Sequence, residues 1–344
     1  MPNPKPSKPY LLQILEDLCP EFGASMHVEP KYGYAGYIEF PSGRRRFFRR
    51  TSLDINGQGA STITKDKDYC IHFLGEGGYH VPEGVLLFSP RYRADMKLRN
   101  PGIAKSLSSI QPALDLINRH EFPVFVKPNE GSGGNGVYLV QSFDELFDAL
   151  LALFPDHPRV LVQRPVPGRD YRVVVLENEV MCAYERRALS VESDGTHSLG
   201  TLIDKRIKAL GTQGGGKMVA LSDPRIADHL QAQGLEFDQV VEAGRVVNLL
   251  PNANLSTGGE AIDITGEISP RIKEICVSAT RALGLIFAGV DILCEDATME
   301  DTNYTILEIN SAPGLYNFSE LGQAQDSKVR MLYGKLMEYL AKTS

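Results

Sequence analysis

The chain has 344 residues, 42% of them apolar and 23% charged, with a formal net charge of -7. That composition is ordinary for a globular protein, the length is too great for one small core, and the acidic balance argues against a general nucleic-acid binder. No apolar run reaches the ~20 residues that a membrane-spanning helix needs. The opening MPNPKPSKPY has no apolar signal core. Cys19, Cys70, Cys182, Cys276 and Cys294 form no CxxC pair, so neither zinc nor disulfides are expected and a cytoplasmic setting is the simplest.

Pro, Lys and Ser crowd the first eight residues, which read as a frayed tail. Apolar spacing predicts a helix over Tyr10–Leu18, and alternation predicts a strand within Tyr32–Phe40. Arg44–Arg50 (RRRFFRR) is the one dense basic run. Taken alone it could be a nucleic-acid patch; against the acidic total it reads rather as a strand with two buried phenylalanines and solvated arginines. Helices are predicted over Asp66–Gly77 and Gln111–His120, and strands over Pro123–Lys127 and Gly136–Val140. Ser142 and Glu145 form a capping-box pattern before an apolar run to Phe154. Strands Arg159–Val166, Asp170–Leu176 and Val180–Arg186 come next, then helices Leu199–Leu210, Pro224–Gln233 and Pro270–Leu283. Two apolar strands, Phe287–Cys294 and Tyr304–Asn310, precede a last helix from about Lys328 to Leu340. The pattern is α+β, divided into a short N-terminal lobe (1–62), a central lobe (63–157) and a C-terminal lobe (158–344).

The chemistry starts in the last two strands. A carboxylate in an apolar strand is costly to bury without a partner. Glu308 and Asn310 are two apart and share a strand face, and Asp291 joins them if the strands are neighbours. Three hard oxygen donors suit Mg²⁺ beside nucleotide phosphates; the plain alternative is a hairpin with solvated polar residues. Upstream, Asn129–Gly136 (NEGSGGNG) is a turn between strands whose glycines let amides converge on an anion, with Ser132 as a further donor. It is neither a Walker A loop nor a dinucleotide fingerprint. Lys127, in the apolar strand before it, needs an anionic partner. Gln163-Arg164-Pro165-Val166 is an extended segment able to offer backbone groups to an adenine edge, and Asp170 could accept from ribose hydroxyls. Glu185-Arg186-Arg187 could grip a phosphate or carboxylate, and Asn254–Gly259 (NLSTGG) permits close backbone approach. Each of these has a bland reading as a loop or a charged hairpin. No nucleophile signature and no metal-ligand histidine spacing is present.

Taken in order, Asp66-Lys67, Val81–Gly84, Val126–Pro128, the glycine-rich turn, Val166–Arg172, Asn254–Gly259, Gly289–Ile292 and Glu308–Gly314 resemble the ATP-grasp superfamily of carboxylate–amine ligases. The likeness is closest to the ATP-grasp module of cyanophycin synthetases and bifunctional glutathione synthetases, through Asp194–Ser198 and Asn254–Gly259. The resemblance implies the ATP-grasp fold and an ATP-dependent, ADP-forming amide or peptide ligase acting through an acyl phosphate. Its cofactors would be ATP and two Mg²⁺ ions held by Asp291, Glu308 and Asn310. Lys67 and Lys127 would contact phosphates, with Ser132, Gly133 and Gly134 in a flap over them. Gln163, Arg164 and Val166 would form the adenine hinge and Asp170 the ribose contact. Arg172, Arg186 and Asn254 would serve the transferred phosphate or the substrate. The partners implied are a small carboxylic acid and an amine (an amino acid or short peptide), with no nucleic acid and no membrane, and the likeness is compatible with a homodimer. Two departures stand out. The hinge opens with Gln163-Arg164 where relatives commonly have an acidic pair, and Ala288-Gly289-Val290 lacks the arginine that some peptide ligases place before the aspartate. A non-catalytic nucleotide-binding module and a kinase-like phosphotransferase remain as other readings.

Overall fold

The computed structural model describes residues 8–131, 133–212 and 219–343. Helix α1 (Tyr10–Leu18) buries Leu11, Leu12, Ile14 and Leu15, the face its spacing predicts. It packs beside an antiparallel meander of β1 (Ser25–Val28), β2 (Ala35–Glu39), β3 (Arg45–Arg49) and β4 (Ser52–Leu53). The basic run departs from expectation. Strand alternation turns Phe48 and Arg46 inward but leaves Phe47 61% exposed, packed on Tyr37. Only one of the two phenylalanines is therefore buried. Arg46 is tolerated inside because its Nη2 donates to Thr343 Oγ1 at 2.7 Å.

Helices α2 (Gln58–Lys65) and α3 (Lys67–Glu76) lead into the central sheet. That sheet holds β5 (Gly84–Phe88), β6 (Val124–Pro128), β7 (Tyr138–Val140) and β8 (Arg159–Gln163), in the antiparallel order β5-β8-β6-β7. Between β5 and β6 lie α4 (Pro90–Arg99), α5 (Pro101–Ala104) and α6 (Gln111–His120); α7 (Phe143–Leu153) follows β7. Helices α6 and α7 cover the sheet with a core that includes Leu116, Val126, Leu146 and Val162. Ser142 caps α7 by accepting the Glu145 N–H at 3.2 Å, while Glu145 reaches back to the Gln141 N–H at 2.8 Å. Strand β8 stops at Gln163, short of the expected Val166, because Pro165 and Pro167 cannot donate to a ladder. It completes the central sheet instead of opening the next one, so that sheet runs past residue 157. An apolar strand read alone does not reveal which sheet it joins.

The large sheet is wholly antiparallel. Its strands are β9 (Arg169–Leu176) and β10 (Glu179–Arg187), then β13 (Glu260–Asp263), β14 (Phe287–Cys294) and β15 (Tyr304–Asn310), in the order β13-β10-β9-β14-β15. Between β10 and β13 the chain builds a subdomain from β11 (Ser190–Glu192), α8 (Leu199–Thr212), α9 (Pro224–Ala232) and β12 (Val246–Asn248), with its own core around Leu199, Ile203, Ile226 and Leu249. One face of the large sheet, with Val173, Ala183 and Val290, packs under α10 (Pro270–Ala282) and takes Cys70 and Leu74 from α3. The other face carries Val174, Cys182, Tyr184 and Phe287. These are covered by α1, the meander, α11 (Tyr316–Ser319) and α12 (Gln323–Lys342). The N-terminal lobe is thus part of a shared core. Asn56 fastens it: its side chain donates to the carbonyls of Phe287 (2.7 Å) and Ser311 (2.9 Å) and accepts the N–H groups of Ile286 and Phe287. All five cysteines are free and buried. Among the described residues no helix is long and apolar enough to cross a membrane.

Candidate functional site

The uncovered end of that second face carries the polar cluster. Register places Arg172 of β9 opposite both Tyr184 of β10 and Asp291 of β14, and Asp291 opposite Glu308 of β15. Asp170 pairs with Arg186, and Gly289 with Asn310, in the rows to either side. Directly paired residues share a sheet face, so all six polar side chains converge. A bulge after Asp291 shifts the β14–β15 register and keeps Ile306 on the apolar side. Asn310 Nδ2 lies 3.1 Å from Glu308 Oε1 and 3.4 Å from Asp291 Oδ2.

Asp291 is buried, 3% exposed, and survives there because both neighbouring strands supply guanidinium groups. Arg172 grips it through Nε and through Nη2 at 2.8 Å, and Arg186 Nη2 lies 3.2 Å from its Oδ2. Burial alone would raise the Asp291 carboxyl, but the two arginines more than offset it and hold it below the usual carboxylate range. Asp170 has only Arg186, at 2.7 Å, so burial wins and its carboxyl is raised. Its carboxylate belongs to the arginine cluster. Arg187 points to the opposite face and pairs with Glu185 at 2.8 Å, so the Glu-Arg-Arg triplet divides by alternation and only Arg186 enters the site.

The central lobe brings the lysines. Lys127 Nζ donates to Gln163 Oε1 at 2.7 Å and has no carboxylate in ion-pair range among the described residues. Burial brings its pKa down to about 8, opposed by the charge of Glu308. Lys67, at the start of α3, donates to the Gly131 carbonyl at 3.0 Å and lies 3.4 Å from Glu308. Four cations (Lys67, Lys127, Arg172, Arg186) therefore face three carboxylates (Asp170, Asp291, Glu308), which leaves a hollow biased toward anions. Gln163 Nε2 is buried without a hydrogen-bond partner, an orphan donor at the same place.

The glycine-rich turn meets the third motif. Gly133 and Gly134 form its tip, and Ser132 lies outside the described residues. Gly134 has φ +72°, a left-handed conformation that favours glycine, and a Cβ there would stand 2.4 Å from Asn254 Nδ2 and 2.6 Å from Asn252 Nδ2, so those two amides would have to shift. Asn254 begins the turn Leu255–Thr257, and its carbonyl accepts from Thr257 and Gly259. Sequence reasoning missed the support behind the turn. Asn129 is fully buried: its Nδ2 donates to Asp66 at 2.8 Å, its Oδ1 accepts the Asp68 N–H, and its carbonyl accepts the Lys67 N–H. Arg159 closes the network on Asp66 at 2.7 Å. The one available signal was Asp66 as a helix N-cap, which it is.

In the hinge, the Arg164 N–H goes to the Glu83 carbonyl at 2.9 Å and the Arg164 side chain to Glu83 at 3.7 Å. Because Pro165 and Pro167 have no N–H, Val166 keeps the one backbone donor free for a ligand between Arg164 and Pro167.

The family model for the D-Ala–D-Ala ligase C-terminus matches residues 98–205, and that for the RimK-like ATP-grasp domain matches 238–331. The chain is 32% identical to cyanophycin synthetase from Crocosphaera subtropica over 77% of its own length and 29% of that protein. It is 27% identical to the glutathione biosynthesis bifunctional protein GshAB from Enterococcus faecalis, over 74% of its own length and 32% of that protein. The chain thus spans less than a third of these relatives. A crystal structure of a bifunctional glutathione synthetase from Pasteurella multocida superposes with a TM-score of 0.57 at 21% identity, covering 94% of this chain and 44% of that one. Two segments of the chain thus match ATP-grasp ligase family models, and its α+β architecture is the ATP-grasp fold.

Proposed function

We propose that the protein is an ATP-dependent carboxylate–amine ligase that forms an amide or peptide bond on an amino acid or short peptide. The observation that carries this reading is the convergence of Asp291, Glu308 and Asn310 with four cations from two lobes, beside a glycine-rich turn. In the reaction a carboxylate oxygen of the substrate attacks the γ-phosphorus of ATP, giving an acyl phosphate and ADP. An amine then attacks the acyl carbon and phosphate departs. Lys67, Lys127, Arg172 and Arg186 orient and neutralise the phosphates. Val166 and the orphan Gln163 amide face the base, and Gly133-Gly134 closes over the phosphates and excludes water.

The donor chemistry of Asp291, Glu308 and Asn310, two carboxylates and an amide, fits Mg²⁺. Bound there, Mg²⁺ would supply further charge neutralisation on the phosphates, and a second ion would share the same carboxylates. Both Asp291 oxygens are engaged by arginines, so Arg172 and Arg186 would have to release that carboxylate for it to hold an ion, which would leave them to face the phosphates. The first test is ADP release with pairs of candidate acids and amines.

Lys127 makes the proposal pH-dependent. Its pKa of about 8 in the free protein means that it is protonated below pH 8 and neutral above, whereas phosphate binding requires the cation. Affinity for ATP is expected to fall as pH rises above about 8, by up to about tenfold per unit. Lys127→Met should bind more weakly and lose that slope, as measured by calorimetric titration across pH 7–10.

Ala288-Gly289-Val290, before Asp291, lacks the arginine that some peptide ligases place there, and Gly289 is crowded. A Cβ there would lie 2.9 Å from Pro313 Cβ and 3.0 Å from Arg172 Cδ, so the missing side chain gives Arg172 its route to Asp291. Gly289→Ala is expected to reduce turnover by about 10–100-fold through misplacement of Arg172. Unchanged steady-state kinetics would remove Arg172 from the account.

A further inference from the structure

A second cavity adjoins the cluster. It has a volume of about 580 Å³ and lies between α8, α11 and the segment Leu255–Ala261. Its wall residue Ala261 is the register partner of Arg186, which touches both Asp170 and Asp291. Gly258 and Gly259 continue the wall from Asn254, the residue beneath the tip of the glycine turn. Helix α11 is fixed over the same sheet face by Phe318, which stacks on Tyr184 at 4.8 Å, and Tyr184 is the register partner of Arg172. The cavity therefore opens beside the arginines that would hold the transferring phosphate.

Its lining is selective. Leu210, Leu255 and Leu321 supply aliphatic surface. Arg206, the one basic residue of the wall among the described residues, is already paired with Glu260 at 2.5 Å. Glu320 has the Tyr316 hydroxyl as a hydrogen-bond partner but no cation in ion-pair range among the described residues. Aliphatic side chains beside Glu320, an exposed carboxylate with no described cation partner, favour a cation on an aliphatic stem and disfavour an anion. The volume suits a ligand of amino-acid size.

We propose that this cavity is the acceptor site and that it takes an aliphatic amine carrying a second cationic group, a diamine or a basic amino acid. The assignment rests on the ligase reading. Glu320 holds the distal cation, and the reactive amine lies toward Arg186. The amine nitrogen's lone pair attacks the acyl carbon of the acyl phosphate derived from ATP. The C–N bond forms, the bond from that carbon to the phosphate oxygen breaks, and phosphate leaves with the electron pair. The nitrogen's proton passes to phosphate or solvent.

The test is calorimetric titration of the full chain with Mg²⁺ and a non-hydrolysable ATP analogue, using L-lysine, L-norleucine and L-glutamate as probes. Lysine is expected to bind at least about tenfold tighter than norleucine, with glutamate weakest. Glu320→Gln should abolish the lysine preference while nucleotide affinity stays within about twofold, and Glu320→Lys should turn the preference toward glutamate. Equal binding of lysine and norleucine, binding of none of the three, or an unchanged preference in Glu320→Gln overturns the assignment. If the analogue binds while lysine is not preferred, the acceptor assignment alone fails. If the analogue does not bind, the ligase reading fails with it.

Discussion

Glu308→Gln is expected to lower ADP release by about 10²–10³-fold while changing the unfolding free energy by less than about 1 kcal/mol. The two effects separate because of how Glu308 is held. It is half-buried, its one ion pair among the described residues is the 3.4 Å contact with Lys67, and Asn310 is its amide neighbour. Little of the fold depends on its charge, whereas a metal–phosphate site loses one of two carboxylates. Parallel steady-state assay and urea denaturation check this. A variant that is folded and fully active would show that Glu308 does not serve the phosphates.

Asp291→Asn is expected to behave differently, although the two acids are direct partners across β14 and β15. Activity should again fall, but here the fold loses about 3–5 kcal/mol, because removing one partner of a buried pair strands the others. Arg172 and Arg186 both converge on this carboxylate, and Asp170 can compensate only Arg186. The pH dependence follows from the direction of the shift. The folded state lowers the Asp291 pKa, so its stabilisation is fully present above the unfolded value of about 3.9 and is lost as pH falls through the folded value. The stability gap between parent and variant should stay constant above about pH 5 and shrink below about pH 4. Urea unfolding at pH 7, 5 and 3.5 measures it. A gap under about 1 kcal/mol at pH 7 would mean that the arginines find other partners.

The parts of the site legible in the sequence were those where one residue contradicts its surroundings. Asp291 and Glu308 within apolar runs, and Lys127 at the end of another, each violate the pattern of a buried strand. A charge that persists there implies a partner. The partner's identity was not legible. That Arg172 lies opposite Asp291 depends on β9 separating β10 from β14, and strand order is a property of the whole core. The same limit applied to β8, whose apolar run fits either sheet, and to Asp170, whose role depends on Arg186 at its register position. Asn129 gave no signal because a buried amide is made necessary by the backbone groups around it, which are brought together only by folding. In the basic run, alternation alone would have distinguished Phe48 from Phe47; the arginine count drew attention away from it.

The central claim is that Asp291, Glu308 and Asn310 form, with the lysines and arginines, a single site for ATP and a divalent cation. The most direct measurement is the affinity of the full chain for a non-hydrolysable ATP analogue with and without Mg²⁺, in the parent and in Glu308→Gln. The account predicts that Mg²⁺ tightens binding to the parent by about tenfold or more and that Glu308→Gln loses this increment. Binding of equal strength with and without Mg²⁺, in both proteins, would contradict it.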